Sequence, residues 1–158
     1  MCIRDSSTTA SASGDAFVVN GVRSYVTDGN TASVIFVPAM SAKGLSLFAV
    51  EGDAKGVARE SLATMDQTRK QSRVVFSDAP ARLVGVEGEA LAGLETTLQV
   101  AAAALAAEQV GGAQRVLHNS VEYAKNRVQF GRPIGSFQAI KHKCADMLLD
   151  VELSLIHI

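Results

Sequence analysis

A chain of 158 residues, 47% hydrophobic and 20% charged, can bury one ordinary core, and that balance excludes disordered and collagen-like classes. The net charge of −1 argues against a general polyanion binder. The longest apolar run, VAAAALAA from Val100 to Ala107, is too short for a membrane span, so a soluble protein is expected. Two cysteines, Cys2 and Cys144, cannot make a disulfide framework, which suits a reduced intracellular protein.

In chain order, MCIRDSS at the start and LSLIHI at the end read as translated sequencing-adapter remnants. Residues 1–6 and 154–158 are therefore set aside, and the natural protein is expected to continue beyond both ends. From Ala16 to Val84 the pattern is β. FVV and VRSYV flank Asn20-Gly21, a strong hairpin signal because both central residues of a type I′ turn need positive φ. SVIFVPA, LSLFAV, SRVVFSD and ARLVGV follow as short β-branched runs between turn residues, which predicts roughly half a dozen antiparallel strands.

At Glu87 the period changes to that of a helix. Leu94, Leu98, Ala101, Leu105, Gly112 and Val116 recur at three- and four-residue steps, and Leu117, Val121, Ala124 and Val128 continue the stripe. One helix of about thirty-five residues results. Gly111-Gly112 inside it would cost about 1 kcal/mol per glycine relative to alanine, and marks a close approach of another backbone rather than a break. Ser136 is placed to cap a second helix, whose apolar positions Ile140, Cys144, Met147, Leu148 and Val151 share one face. Charge divides along the helical part. Leu83 to Gln114 holds four acids and no Lys or Arg, whereas Arg115 to Lys143 holds six Lys/Arg against Glu122 alone.

Between the helices lies RVQFGRPIGSFQ, with two glycines, a proline, two arginines and two phenylalanines where a connector needs only a few turn residues. His118 and His142 are isolated and make no metal-ligand spacing, and no glycine-rich phosphate loop of the dinucleotide kind occurs. The basic stretch has no sheet of exposed aromatics or reading helix, which argues against nucleic acid.

Three stretches, NGVRSYVTDG, LATMDQTRKQSRVVFSDAPARLVG and EQVGGAQRVLHNSVEYAKNRVQFGRPIGSFQAIKHKCADM, occur in the order of the acyl-CoA dehydrogenase family, which the chain resembles over nearly all of residues 14–153. The resemblance implies an α+β protein in which 14–86 are part of a middle β domain and 87–153 the first two helices of a four-helix C-terminal domain. It implies FAD held across a subunit interface of a homo- or heterotetramer. The substrate would be an acyl-CoA and the electron acceptor an electron-transferring flavoprotein, in bacterial cytoplasm or, in a eukaryote, the mitochondrial matrix.

By the same resemblance Arg127, Phe130 and Gln138 reach a neighbouring subunit's FAD around its pyrophosphate and adenine end. A forked guanidinium suits phosphate oxygens, and an amide both donates and accepts. Tyr25 and Thr27 would lie beside the flavin ring, with Tyr standing where the family usually has Trp. Asp66 and Arg69 would face the substrate's CoA portion. No catalytic base is named. The family's glutamate lies downstream or, in some members, early in the long helix, near Ala101, where no carboxylate stands; Glu108 matches neither position. Two alternatives stay open, a non-catalytic partner subunit of a heteromeric dehydrogenase, which the downstream glutamate would discriminate, and a flavin monooxygenase or oxidase of the same superfamily.

Overall fold

The computed structural model describes residues 8–14 and 16–157, so Cys2 and the adapter-like residues 1–6 and 158 lie outside it. Six strands come first: β1 (Thr9–Ser13), β2 (Ala16–Thr27), β3 (Val34–Ser41), β4 (Gly44–Glu51), β5 (Val57–Leu62) and β6 (Gln71–Val84). Two helices follow, α1 (Ala90–Asn126) and α2 (Gln138–His157), joined through β7 (Val128–Gln129), β8 (Arg132–Pro133) and a 3-10 turn at Ile134–Ser136. The class is α+β. Contacts divide the chain into two compact units, Met1–Glu95 and Thr96–Ile158.

In the first unit the strands run in the order β2-β1-β3-β4-β6-β5, and β2 also pairs with β6, so five strands close into a ring with β5 on its flank. Every pairing is antiparallel except the short β1–β3 contact at Thr9 and Met40. β6 makes this possible by its length. One edge follows β2 from Ala81 to Gln71, while the other serves β5 over Gln71–Phe76 and β4 over Arg82–Val84. Alternation then sorts the side chains: Ile35, Val37 and Ala39 of β3 are buried, whereas Phe36 and Met40 face out. Val19, Phe48, Val50, Val74 and Phe76 complete the interior, with the Phe17 and Phe48 rings 5.1 Å apart. Each such side chain contributes about 1.5–3 kcal/mol on burial.

Asn20-Gly21 is not a hairpin turn. β2 runs straight through it, and the tight turn lies instead between Ser41 and Gly44. The register explains why. Val19 pairs with Ala79 but Gly21 with Phe76, so β6 carries an extra residue opposite Asn20, with Asp78 at a φ of 50°. The Asn20 side chain spans that bulge, donating to the Asp78 carboxylate and accepting from the Asp78 N–H, each at 2.8 Å.

Beyond β6 the chain is clasped before α1 starts. The buried Ser46 hydroxyl accepts the Gly88 N–H at 2.7 Å, and Lys43 pairs with Glu87 at 3.2 Å. Gly88 has a φ of 89°, and a Cβ there would stand 2.5 Å from the Lys43 carbonyl oxygen.

α1 is one helix of 37 residues, uninterrupted at Gly111-Gly112. A Cβ on either glycine would meet nothing within 4 Å, so the expected close approach is not made within this chain. α1 is also long and apolar enough to cross a membrane by length and composition alone, with an 18-residue window of mean hydropathy 1.4, contrary to the expectation that no segment would be. Alanine carries that mean; it scores as apolar yet offers little side chain to a core. Ile140, Cys144, Met147 and Val151 are half-buried as predicted, but Leu148 is exposed. Ser136 does not cap α2. It ends the 3-10 turn, the Phe137 carbonyl accepts the N–H groups of Ile140 and Lys141, and the Ser136 hydroxyl is enclosed without a partner among the described residues.

Candidate functional site

The joint of the helical unit is a miniature hairpin. Val128 pairs with Pro133 and Gln129 with Arg132, leaving Phe130 and Gly131 as its two central residues, both with positive φ (54° and 74°). Glycine takes that conformation freely, but an aromatic residue rarely does. Its effect is to hold Phe130 outward, 93% exposed. Arg127 is anchored on both sides of its main chain: its N–H donates to Tyr123 O and its carbonyl accepts from Ile134, both at 2.8 Å, so the exposed guanidinium projects from a fixed point. Gln138, first residue of α2, is exposed beside them.

Two participants here escaped the sequence reading. The Arg132 guanidinium lies 4.1 Å from the centre of the Phe137 ring, and Phe130 meets that ring edge-on at 6.2 Å. The stack makes a basic, aromatic knuckle. The repeated F and R of FGRPIGSF were its only signal, and spacing alone does not say which ring a guanidinium will cover. Behind the knuckle, a groove of about 540 Å³ runs between α1 and α2, lined by Val116, Tyr123, Ile140, Cys144 and Met147 among others.

At one end of the β unit, Tyr25 sits at a φ of 59° and is 73% exposed. Arg23 pairs with Val74 and Val26 with Ser72, so here β2 carries the extra residue. Thr27 follows, opposite Gln71, whose amide Nε2 donates to the Thr27 hydroxyl at 3.3 Å. Asp28 donates its N–H to Lys70 O at 2.9 Å. The segment 63–70, carrying Asp66 and Arg69, therefore meets β2 beside Thr27. Within it the Asp66 carboxylate accepts from the Thr68 hydroxyl at 2.6 Å and the Thr68 N–H at 2.9 Å. Those bonds, with a smaller contribution from Arg69, hold its pKa below the usual carboxylate range. Asp66 is thus a charged, turn-forming residue, and Arg69 is exposed in the same turn.

Chemically, the helical joint offers a forked cation, an amide and an outward aromatic ring, a set that fits a nucleotide carrying a pyrophosphate. The β end offers an aromatic ring and a hydroxyl on an open strand edge, a set that fits a planar heterocycle. Taken separately, each set fits one part of FAD, the joint its pyrophosphate-bearing nucleotide and the β end its ring. Among the described residues no group of three or more His, Cys, Asp or Glu could hold a metal ion.

A ring of antiparallel strands followed by a long helical hairpin with such a joint defines a class. A model of the acyl-CoA dehydrogenase C-terminal domain matches residues 91–158. A cyclohex-1-ene-1-carbonyl-CoA dehydrogenase of Geobacter metallireducens is 35% identical, over 93% of this chain and 41% of its own length. The acyl-CoA dehydrogenase IpdE2 of Mycobacterium tuberculosis is 49% identical, over 58% of this chain and 26% of its own length. Among solved structures, an acyl-CoA dehydrogenase from Geobacillus kaustophilus superposes with a TM-score of 0.89 at 28% identity, over 94% of this chain and 42% of that one. The chain belongs to the acyl-CoA dehydrogenase family. It spans less than half the length of the relatives it matches.

Proposed function

We propose that this chain is part of an FAD-dependent acyl-CoA dehydrogenase that converts an acyl-CoA thioester to the 2-enoyl-CoA and passes the electrons to an electron-transferring flavoprotein. Residues 14–86 are then part of its middle β domain and 87–153 the first helices of its C-terminal domain. What carries the reading is the joint: Phe130, held 93% exposed on a backbone that disfavours it, between the anchored Arg127 and the Arg132–Phe137 stack. Exposing an aromatic ring at a strained position costs stability, and such strain concentrates at ligand clamps.

When bound, FAD supplies a two-electron acceptor for the hydride that leaves the substrate's β carbon. In this reading Arg127 holds the pyrophosphate of the cofactor in a neighbouring subunit, Phe130 packs against its nucleotide, and Gln138 binds toward the adenine. Tyr25 covers the ring and Thr27 donates its hydroxyl proton to an acceptor atom there. Arg69 meets the anionic CoA portion of the substrate, and Asp66 keeps the turn that carries Arg69. The α proton goes to a glutamate supplied outside residues 1–158, because Ala101 has no carboxylate and Glu108 lies elsewhere on α1.

The test is the visible spectrum of a full-length protein carrying this sequence, before and after anaerobic addition of a series of acyl-CoAs. A yellow protein bleached by one class of acyl chain is expected. A colourless protein would sink the flavin assignment, and a yellow one that no acyl-CoA bleaches would sink the substrate.

A further inference from the structure

Gln71 is not among the residues that the family resemblance singles out, yet its surroundings are unusual. It is the cross-strand partner of Thr27, 44 residues away, and its Nε2 donates to the Thr27 hydroxyl oxygen at 3.3 Å. Its other polar atom, Oε1, is enclosed and has no hydrogen-bond partner among the described residues. An amide with one end orphaned is a poor choice for packing, since an apolar side chain of the same length would fill the space without desolvating an acceptor. What the amide adds is the bond to Thr27.

The strand register is arranged for that bond. Between Arg23 and Val26 the chain inserts Tyr25 at positive φ, so β2 advances three residues while β6 advances two. Continued without the insertion, the Arg23–Val74 register would put Thr27 opposite Lys70. With it, Thr27 falls opposite Gln71, on the face away from the buried Ser72. The bulge that turns Tyr25 outward therefore also delivers Thr27 to an amide donor.

A hydroxyl has two lone pairs and one proton. Accepting from Gln71 engages one lone pair, polarises the O–H bond and leaves the proton for an acceptor beyond the strand edge. We propose that Gln71 is a positioning residue: it orients the Thr27 hydroxyl so that its proton points to a ligand atom that gains negative charge. The inference rests on the flavin-side reading of Thr27 and goes beyond it by assigning the group that aims the hydroxyl.

The experiment is a double-mutant cycle in the full-length flavoprotein, read by the flavin midpoint potential and the visible absorption bands rather than by turnover. Thr27→Val is expected to lower the potential, because the donor to the reduced ring is lost. Gln71→Met, uncharged and of similar length, is expected to lower it in the same direction, and to change nothing further when position 27 is already Val. Thr27→Ser, which keeps the hydroxyl, is expected to keep the potential only while Gln71 is present. If Gln71→Met does not fold, Gln71→Glu is compared in the Thr and Val backgrounds. There the added charge acts in both, and the difference between them isolates the hydroxyl. Equal shifts in the two backgrounds overturn the proposal, as does a potential that moves with Thr27→Val but not with Gln71→Met. A colourless full-length protein overturns the flavin reading itself, and this inference with it.

Discussion

In residues 8–95 the side chains that alternate as apolar are also the ones that lose contact with water: Val19, Val37, Phe48, Val50 and Val74 are essentially inaccessible. In 96–156 an equally regular pattern leaves Leu105 44% and Val116 62% exposed, and among the described residues there only Leu117 and Ala124 are buried. The difference is geometric. A sheet that closes on itself gives every inward residue a complete set of neighbours from its own strands. A helix with one antiparallel partner buries one stripe and shows the rest. The β unit thus carries its own core, while the helical unit presents surface, and it is on that surface that Arg127, Phe130 and Gln138 stand.

Core truncation tests the contrast most severely. Phe48→Ala is expected to cost about 3–5 kcal/mol, enough to unfold the β unit, whereas Leu98→Ala on exposed α1 should stay within about 1 kcal/mol. Urea unfolding followed by circular dichroism measures both, and equal losses would break the comparison. Glycines sharpen it next. A Cβ at Gly52 would lie 2.2 Å from the Ala32 carbonyl oxygen, so Gly52→Ala should destabilise by about 1–3 kcal/mol. Gly111→Ala and Gly112→Ala meet open space and should each stabilise this chain by up to about 1 kcal/mol. A loss at either glycine in a longer protein, with a gain in this chain, would reveal a neighbour for α1.

Acid probes the clasp between the β hairpin and the start of α1. The Ser41 hydroxyl first, and then Lys43, hold the Glu87 pKa below its ordinary value. A depressed carboxylate adds stability that is present above its unfolded pKa and is lost as pH falls through the folded one. The wild type should therefore lose stability through and below the ordinary glutamate range more steeply than Glu87→Gln, as thermal melts across pH would record. The smallest effect belongs to the helical surface. Lys125 lowers the Glu122 pKa across an i,i+3 pair at 2.8 Å, but both side chains are largely in water. Lys125→Ala should change stability little in the same melts, and less still in added salt.

Much of this architecture is legible in the residues themselves. The change from period two to period 3.6 near Glu87 separates strands from helix, and the stripe from Leu94 to Val128 announces one long helix that the structure carries to Asn126. Local signals failed where a distant partner outbid them. Asn20-Gly21 has the composition of a turn, but Asp78, 58 residues away, offers its backbone and carboxylate to the Asn20 side chain, and the strand goes straight. Ser136 has the side chain of a cap, but Ile134 and Phe137 close a 3-10 turn around it first. The Arg132–Phe137 stack and the Gln71–Thr27 bond left no readable trace, because both depend on which residues meet rather than on which residues are present.

Composition and periodicity by themselves determined the class of each segment: β-branched alternation needs a sheet to hide one face, and an alanine-leucine stripe needs a helix to gather it. Tertiary structure alone decided the closure of β2 onto β6 and the pair of bulges in their ladder. Register is a cooperative property of two strands far apart in the chain, and one inserted residue reassigns every partner beyond it. That is why Tyr25 and Thr27 can be picked out from the sequence, while the amide that aims Thr27 appears only once the strands are paired.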